Sequence, residues 1–513
     1  MTFIKRDIER TQSVVDNEQQ PANNVSDTSK KKKSYKSFPL LVALLGVVFV
    51  LILTINVFGL FKGFSVNFPS QVISGISEVF GKDLKKDPNG HTNILIVGIG
   101  GAEHDGANLT DTLMVASIDS QNHSVALLSI PRDLYINVPQ MGPTKINAAY
   151  DFNLRQITKA DGASNAAKTN TPPTFNEVQE GMQGLQDIVE NITGVSIQYF
   201  VKADFQGFIQ VVDLLGGVDV DVPRDLIDRE YPNESYGYET FAVRKGMRHF
   251  DGATALKYAR SRHSTSDFDR SERQHTIMKA VLDKVMEKQY LTDPNQLKRL
   301  YYAVSENIVT NMDLREILRG AGFAKDLKGD HILSAGFHDD YTKEGGFLYV
   351  PQRALFGGAS VLLPSGATAG NLSYYKQLQQ FAEMFLFSQA FYSGNPKILV
   401  VNATKSGTKR ISGIGQSISS TFVPYGINIE ESVNAPDQTS LTTSTIVAMN
   451  DNAMKTYIPH ISNLFNAEKL QFNQDALDAF PEVALSDFLA EQQSHYDIVI
   501  LVGNDYRTLL AAN

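Results

Sequence analysis

The segment YARSRHSTSDFDRSERQ, residues 258–274, carries Arg260, Arg262, Arg270 and Arg273 and no lysine. Guanidinium forks grip carboxylate and phosphate in bidentate fashion, which a lysine ammonium does not. Four of them in so short a stretch point to a multiply charged anion such as a diphosphate. A solvated basic turn paired with Asp267, Asp269 and Glu272 is the plain alternative. Two more segments point toward phosphate. SIPRDLYINVP places Arg132 and Asp133 directly after a predicted strand, where ligand-binding loops of α/β sheets lie. LTDT places Asp111 just before another. One carboxylate beside arginines and a diphosphate makes a magnesium site, because magnesium takes few carboxylates plus phosphate oxygens. Taken singly, Asp111 also reads as a turn former. The loop GIGGAEHDGAN contains Gly98-Ile99-Gly100, but position 103 is glutamate where a dinucleotide fingerprint needs glycine, and no helix follows.

The elements around these residues decide where they point. After SDFD the chain reads as a helix to about residue 288, with Asp269 as cap and Glu272 at the third helical position. Arg270, Gln274, Ile277, Val281 and Val285 share one stripe, so the apolar three face the core. Arg270 and Gln274 extend that stripe into a polar pocket at a helix N-terminus, which favours anions. KYARSR reads as strand-like, placing Arg260 and Arg262 on one face.

Strands are predicted at NILIVGI, LMVASID, SVALLSI and IQYFVKA. A helix is predicted over 177–192, and FQGFIQVVDLLGGVDVDVP reads as helix, Gly-Gly turn and strand. Residues 158–175 have the composition of a surface insertion. Residues 294–328 read as helical, with a strand pair near 346–363 and a helix near 374–392. The break SGNP, 393–396, opens a second α/β unit over 397–513, with strands at KILVVNA, STIVAMN and YDIVILVGND. Its Asn402, Thr404 and Ser406 read as turn formers.

A net charge of −9 argues against a nucleic-acid partner. The absence of cysteine excludes disulfides, thiolate chemistry and Cys-ligated metals. Residues 1–37 are polar, end in a lysine cluster and read as a disordered tail. Residues 38–61 carry no charge; as a helix they would reach about 35 Å, enough for the roughly 30 Å hydrocarbon core. The five clustered lysines Lys30, Lys31, Lys32, Lys33 and Lys36 precede this span, so the tail is expected in the cytoplasm and everything after residue 62, the 62–90 stalk included, outside.

Seven motifs in order, NILIVGI, TDTLMVASID, LLSIPRD, KINAAY, VVDLLGGVDVDVP, LKYARSR and DFDRSERQ, resemble the LytR-CpsA-Psr family of bacterial cell-wall enzymes. The terminal unit resembles the LytR C-terminal domain. The resemblance implies a central mixed sheet flanked by helices over 91–393, behind a signal-anchor helix. It implies a phosphotransferase of the cell membrane that moves a glycopolymer from a polyprenyl-pyrophosphate carrier to peptidoglycan through a phosphodiester. Arg132, Arg260, Arg262, Arg270 and Gln274 would grip the pyrophosphate, with Arg273 in contact or behind them. Arg132, Arg260, Arg262 and Asp111 would be catalytic, and Asp111 would hold magnesium (or manganese). Apolar residues of the 205–215 and 277–285 helices would line a lipid tunnel. Two positions depart from the pattern: Gly100 stands where an acid is usual and Leu109 where an arginine is usual. Glu103 or Asp105 is the expected replacement for the missing metal-binding acid. A carrier-binding protein without transfer, or a pyrophosphate hydrolase, are the alternatives.

Overall fold

The computed structural model describes residues 84–101, 106–160, 173–232, 237–261, 267–287, 307–312, 316, 331–437, 439–461, 464, 468–471 and 483–508. The predicted tail, the 38–61 span and most of the stalk lie outside these residues. Among the described residues no helix is long and apolar enough to cross a membrane.

The first region begins with β1 (Thr92–Ile99), β2 (Thr110–Asp119) and β3 (Ser124–Ser129). A hairpin of β4 (Tyr135–Val138) and β5 (Gly142–Lys145) leads to α1 (Ala149–Ala160) and α2 (Phe175–Thr193). Then come β6 (Tyr199–Asp204), α3 (Phe205–Leu214) and β7 (Val218–Val222). The hairpin β8 (Leu226–Pro232) and β9 (Tyr238–Val243) precedes β10 (Gly246–Phe250), α4 (Gly252–Arg260) and α5 (Asp267–Glu287). β11 (Ile308–Thr310), β12 (Ile332–Gly336), β13 (Leu348–Tyr349), β14 (Leu363–Pro364), α6 (Lys376–Phe387) and α7 (Gln389–Gly394) complete it.

The central sheet is mixed, in the order β11-β6-β1-β2-β3-β12. β1 pairs parallel with β6, and β3 with β12. β2 runs antiparallel to both β1 and β3. The strands alternate two apolar faces, as their period of two requires. Leu95, Val97, Leu113, Val115 and Leu128 join α1, α2 and α6 in one core. Ile94, Met114, Ala116 and Leu127 join α3, α4, α5 and β7 in another. The carboxyl ends of β1, β3, β6 and β12 meet at one edge, where ligand sites of α/β sheets form.

The second unit has β15 (Ile398–Asn402), α8 (Ile414–Phe422), β16 (Ile429–Asn434), β17 (Thr445–Ala448), β18 (Glu468–Gln471), α9 (Val483–Gln492) and β19 (Ile498–Val502). Its sheet order is β16-β15-β19-β17-β18. It is not a separate bead. One core runs from Phe337 and Phe381 through Phe347 to Tyr425 and Ile427. The Phe347 and Tyr425 rings sit 4.8 Å apart, and Gly345 N donates to Pro424 O at 2.8 Å. Asn402 and Thr404 satisfy each other, the Thr404 hydroxyl and amide both donating to Asn402 Oδ1.

Three local expectations are corrected. KYARSR is not strand-like: GATALKYAR forms α4, because Asp251 caps it through Thr254 N and the segment is rich in strong helix formers. α5 starts at Asp267, two residues before the expected Asp269 cap. Within 294–328, Ile308–Thr310 is a strand on β6, as its β-branched run favours.

Candidate functional site

The site is a cavity of about 280 Å³ at the carboxyl edge of the sheet, under α3, α4, α5 and the β8–β9 hairpin. Its interior is apolar, with Ile96, Met114, Phe208, Leu256, Ile277 and Met278 on the wall. Its charged groups are Asp111, Arg132, Asp204, Asp228 and Arg260, with Gln274 beside them. Asp111 projects from the start of β2 and accepts from Arg132 Nη1 at 2.6 Å. Arg132 follows β3, and its Nε is 3.6 Å from Asp133 Oδ2. That Nε is buried and has no hydrogen-bond partner, a donor the protein leaves unsatisfied in the cavity's charged wall. Lys145 of β5 holds Asp133 at 2.5 Å and so fixes the loop that carries Arg132.

Arg260 ends α4 with its guanidinium 4.1 Å from the Phe205 ring centroid. Stacking of this kind orients a guanidinium fork while leaving its edge to meet an anion. Burial pushes the nearby Tyr231 phenol up, opposed by the Arg260 charge. α4 reaches this position only because it starts at a glycine: a Cβ on Gly252 would stand 2.3 Å from Ile209 O of α3. Asp228, 1% exposed, accepts from Ser261 Oγ at 2.6 Å and pins the chain just after Arg260.

α5 divides its work among three successive residues. Arg273 is buried and donates to Tyr258 O at 3.0 Å and to Ser261 O. It therefore serves carbonyls at the α4 C-terminus, where a cation is favoured. Gln274 lines the cavity. His275 Nε2 lies 2.7 Å from Ser129 Oγ, joining α5 to the end of β3. Burial holds its imidazole down to about 4, so it is a neutral spacer rather than a charge.

Of the sequence-predicted residues, the structure brings Asp111, Arg132, Arg260 and Gln274 to one cavity. Arg273 is placed behind it. Arg270 lies on the α5 backbone, and its side chain is outside the described residues, as are Arg262, Glu103 and Asp105. Sequence reasoning missed Asp204, Asp228, Tyr231 and His275, and the stacking of Phe205 on Arg260. Asp204 was legible in part: it precedes FQGF, and it caps α3 by accepting from Gly207 N at 2.8 Å. β6 pairs with β1 so that Asp204 lies opposite Ile99, beside Gly101. Gly101 has φ +83° and would meet Asp204 if it bore a Cβ. Among the described residues no group of three or more His, Cys, Asp or Glu could hold a metal. Two carboxylates, Asp111 and Asp204, line the cavity, and carboxylates are the donor type a hard cation takes together with phosphate oxygens.

A sequence profile of the LytR_cpsA_psr family matches residues 70–353, more than half of the chain. The chain belongs to that family. Among curated relatives, it is 28% identical over 264 residues to the cell wall biosynthesis protein LcpA of Corynebacterium glutamicum, covering 50% of this chain and 48% of that one. It is 31% identical over 240 residues to the polyisoprenyl-teichoic acid–peptidoglycan teichoic acid transferase TagV of Bacillus subtilis, covering 46% and 52%. The chain thus spans about half the length of these two relatives. TagT of the same organism, with the same descriptive name, is 25% identical over 334 residues, covering 63% and 92%. Among solved structures, B. subtilis TagV matches with 25% identity and a TM-score of 0.40 over 59% of this chain and 98% of that one. The assignment to the family rests on the sequence profile.

Proposed function

We propose that this chain is a membrane-anchored phosphotransferase that takes a glycopolymer from a polyprenyl-pyrophosphate carrier and joins it to peptidoglycan through a phosphodiester. The observation that carries this is the cavity's pairing of two arginines and carboxylates with a mainly apolar interior. A free nucleotide or sugar phosphate would not need that interior; a lipid with a charged head needs both halves. TagV and TagT, whose names state such a transfer, support the reading. The 38–61 span would anchor the chain with its N-terminus in the cytoplasm and its α/β units outside.

A peptidoglycan hydroxyl attacks the sugar-linked phosphorus. A new P–O bond forms, the P–O–P bridge breaks, and polyprenyl phosphate leaves with the electron pair. The hydroxyl proton passes to a carboxylate of the cavity, Asp111 or Asp204. Arg132 and Arg260 offset the charge that builds on the leaving phosphate. Arg262 and Arg270 extend the grip. Magnesium or manganese, held by Asp111 with diphosphate oxygens and with Asp204 as the neighbouring carboxylate, would supply further charge neutralisation there. The pyrophosphate bond itself provides the driving force, so no nucleotide is required outside the cell.

The test is transfer of a short glycan from its polyprenyl-pyrophosphate carrier to peptidoglycan fragments by the full chain, read by mass spectrometry. Asp204→Asn keeps an effective helix cap, so it removes charge without removing the fold. Product that forms only with acceptor, and falls sharply in Asp111→Asn or Asp204→Asn at unchanged melting temperature, is expected. Release of the glycan phosphate to water at the same rate with and without acceptor would contradict transfer.

A further inference from the structure

A second recess lies on the other side of the sheet, between the β4–β5 hairpin, α1 and α2. It encloses about 460 Å³, within the range of small-molecule sites. Five side-chain amides converge on it: Asn137 and Gln140 from the hairpin, Asn153 and Gln156 from α1, and Asn191 from α2. Asn137, Gln140, Gln156 and Asn191 are exposed, and none of their side chains hydrogen-bonds another described residue, so their donors and acceptors are open to a ligand. Asn153 Nδ2 is buried against Gly184 without a partner. Two carboxylates, Glu180 and Asp187, stand on the rim, and no lysine or arginine lines the recess among the described residues. Tyr375 supplies an aromatic wall.

We infer that this recess binds a neutral N-acetylated glycan, and thus seats the acceptor strand of the transfer proposed above, on which its role in transfer rests. An amide side chain presents a donor and an acceptor together, matching an acetamido group, and carboxylates accept from sugar hydroxyls. Glu180 and Asp187 repel a phosphate-rich polymer, so the donor glycan is disfavoured by charge. Placement agrees. Asn137 is five residues from Arg132 along the same hairpin arm, a reach of roughly 17 Å at most in extended chain. A glycan lying in the recess therefore ends within a few sugar lengths of the Arg132–Asp111 pair.

The experiment titrates the full chain in detergent with chitotetraose, a neutral N-acetylglucosamine oligomer, in the absence of any lipid donor. Wild type binds it. Asn137→Ala with Gln156→Ala, both exposed positions, weakens binding about tenfold, the loss of two ordinary hydrogen bonds. Arg132→Ala with Arg260→Ala leaves glycan binding unchanged while abolishing binding of farnesyl pyrophosphate. That second readout separates the two ideas: failure of the pyrophosphate reading appears in the farnesyl arm alone. Melting curves confirm that the variants fold. The inference is overturned if wild type does not bind chitotetraose, if the amide variant binds it as well as wild type does, or if a poly(glycerol phosphate) chain displaces it.

Discussion

The two recesses flank one sheet and have opposite chemistry. The first sits over the face of Met114 and Ile277, with guanidinium groups at its charged wall and hydrocarbon inside. The second sits over the face of Ile136, Ile188 and Ile192 and is lined by amides and carboxylates, with no cation among the described residues. On the reading proposed above, one small fold would keep two large substrates apart by charge, with the anionic headgroup on one face and the neutral strand on the other. The faces also differ in cover. On the second face the core continues into the C-terminal unit, whereas the first face is roofed by α4, α5 and a hairpin of its own domain.

The largest effect should come from breaking that cover. Phe347→Ala removes a ring packed against Phe381 and Tyr425 and should cost about 3–5 kcal/mol in urea unfolding. Because it acts on the closed face, farnesyl pyrophosphate affinity of the folded fraction should not change. A drop in that affinity would show that the two faces are coupled.

Next is acid. The His275 imidazole sits at about 4 in the fold, below its ordinary 6.5, so the unfolded chain takes up a proton first as pH falls. Its contribution is complete above about 6.5 and is lost by about 4, a change of about 3 kcal/mol. Glu344, at the seam beside Gly426 and Tyr392, has the opposite sign. Burial raises its carboxyl to about 7, so its contribution is complete below its ordinary 4.5 and is lost as pH rises through about 7. Stability–pH curves of His275→Gln and Glu344→Gln should flatten at the acid and neutral ends respectively. Curves parallel to wild type would refute both assignments.

Arg132→Ala and Arg260→Ala should each slow transfer by a factor of about ten to more than a hundred, the loss of one charge-assisted phosphate contact at about 1.5–3 kcal/mol. Met278→Trp narrows the apolar interior and should raise the lipid donor KM about tenfold, or about 1.4 kcal/mol, with the acceptor KM unchanged. An equal shift in both would place the two substrates in one recess.

Much of the first region was legible because its signals are local. The apolar runs of β1, β2 and β3 and the Gly-Gly turn after α3 declare themselves at short range. Arg132 and Asp111 were legible because strand ends are where sheets bind ligands. Arg260 was identified from an incorrect local structure: KYARSR has alternating character, but the Asp251 cap and the Gly252 contact with α3 make it helical. Asp204 was legible only as a helix cap and Asp228 not at all, since the place of each in the cavity comes from register with β1 or contact with Ser261, far apart in sequence. The amide recess was invisible for the same reason. Its asparagines and glutamines are scattered over 137–191 and look like ordinary surface.

The most direct measurement is equilibrium binding of farnesyl pyrophosphate to the full chain, set against inorganic pyrophosphate and farnesol alone. The joined ligand should bind far more tightly than either half. Arg132→Ala should weaken binding of the two pyrophosphate-bearing ligands but not of farnesol. Equal affinity for farnesyl pyrophosphate and inorganic pyrophosphate would mean that the apolar interior takes no lipid, and would contradict the central claim.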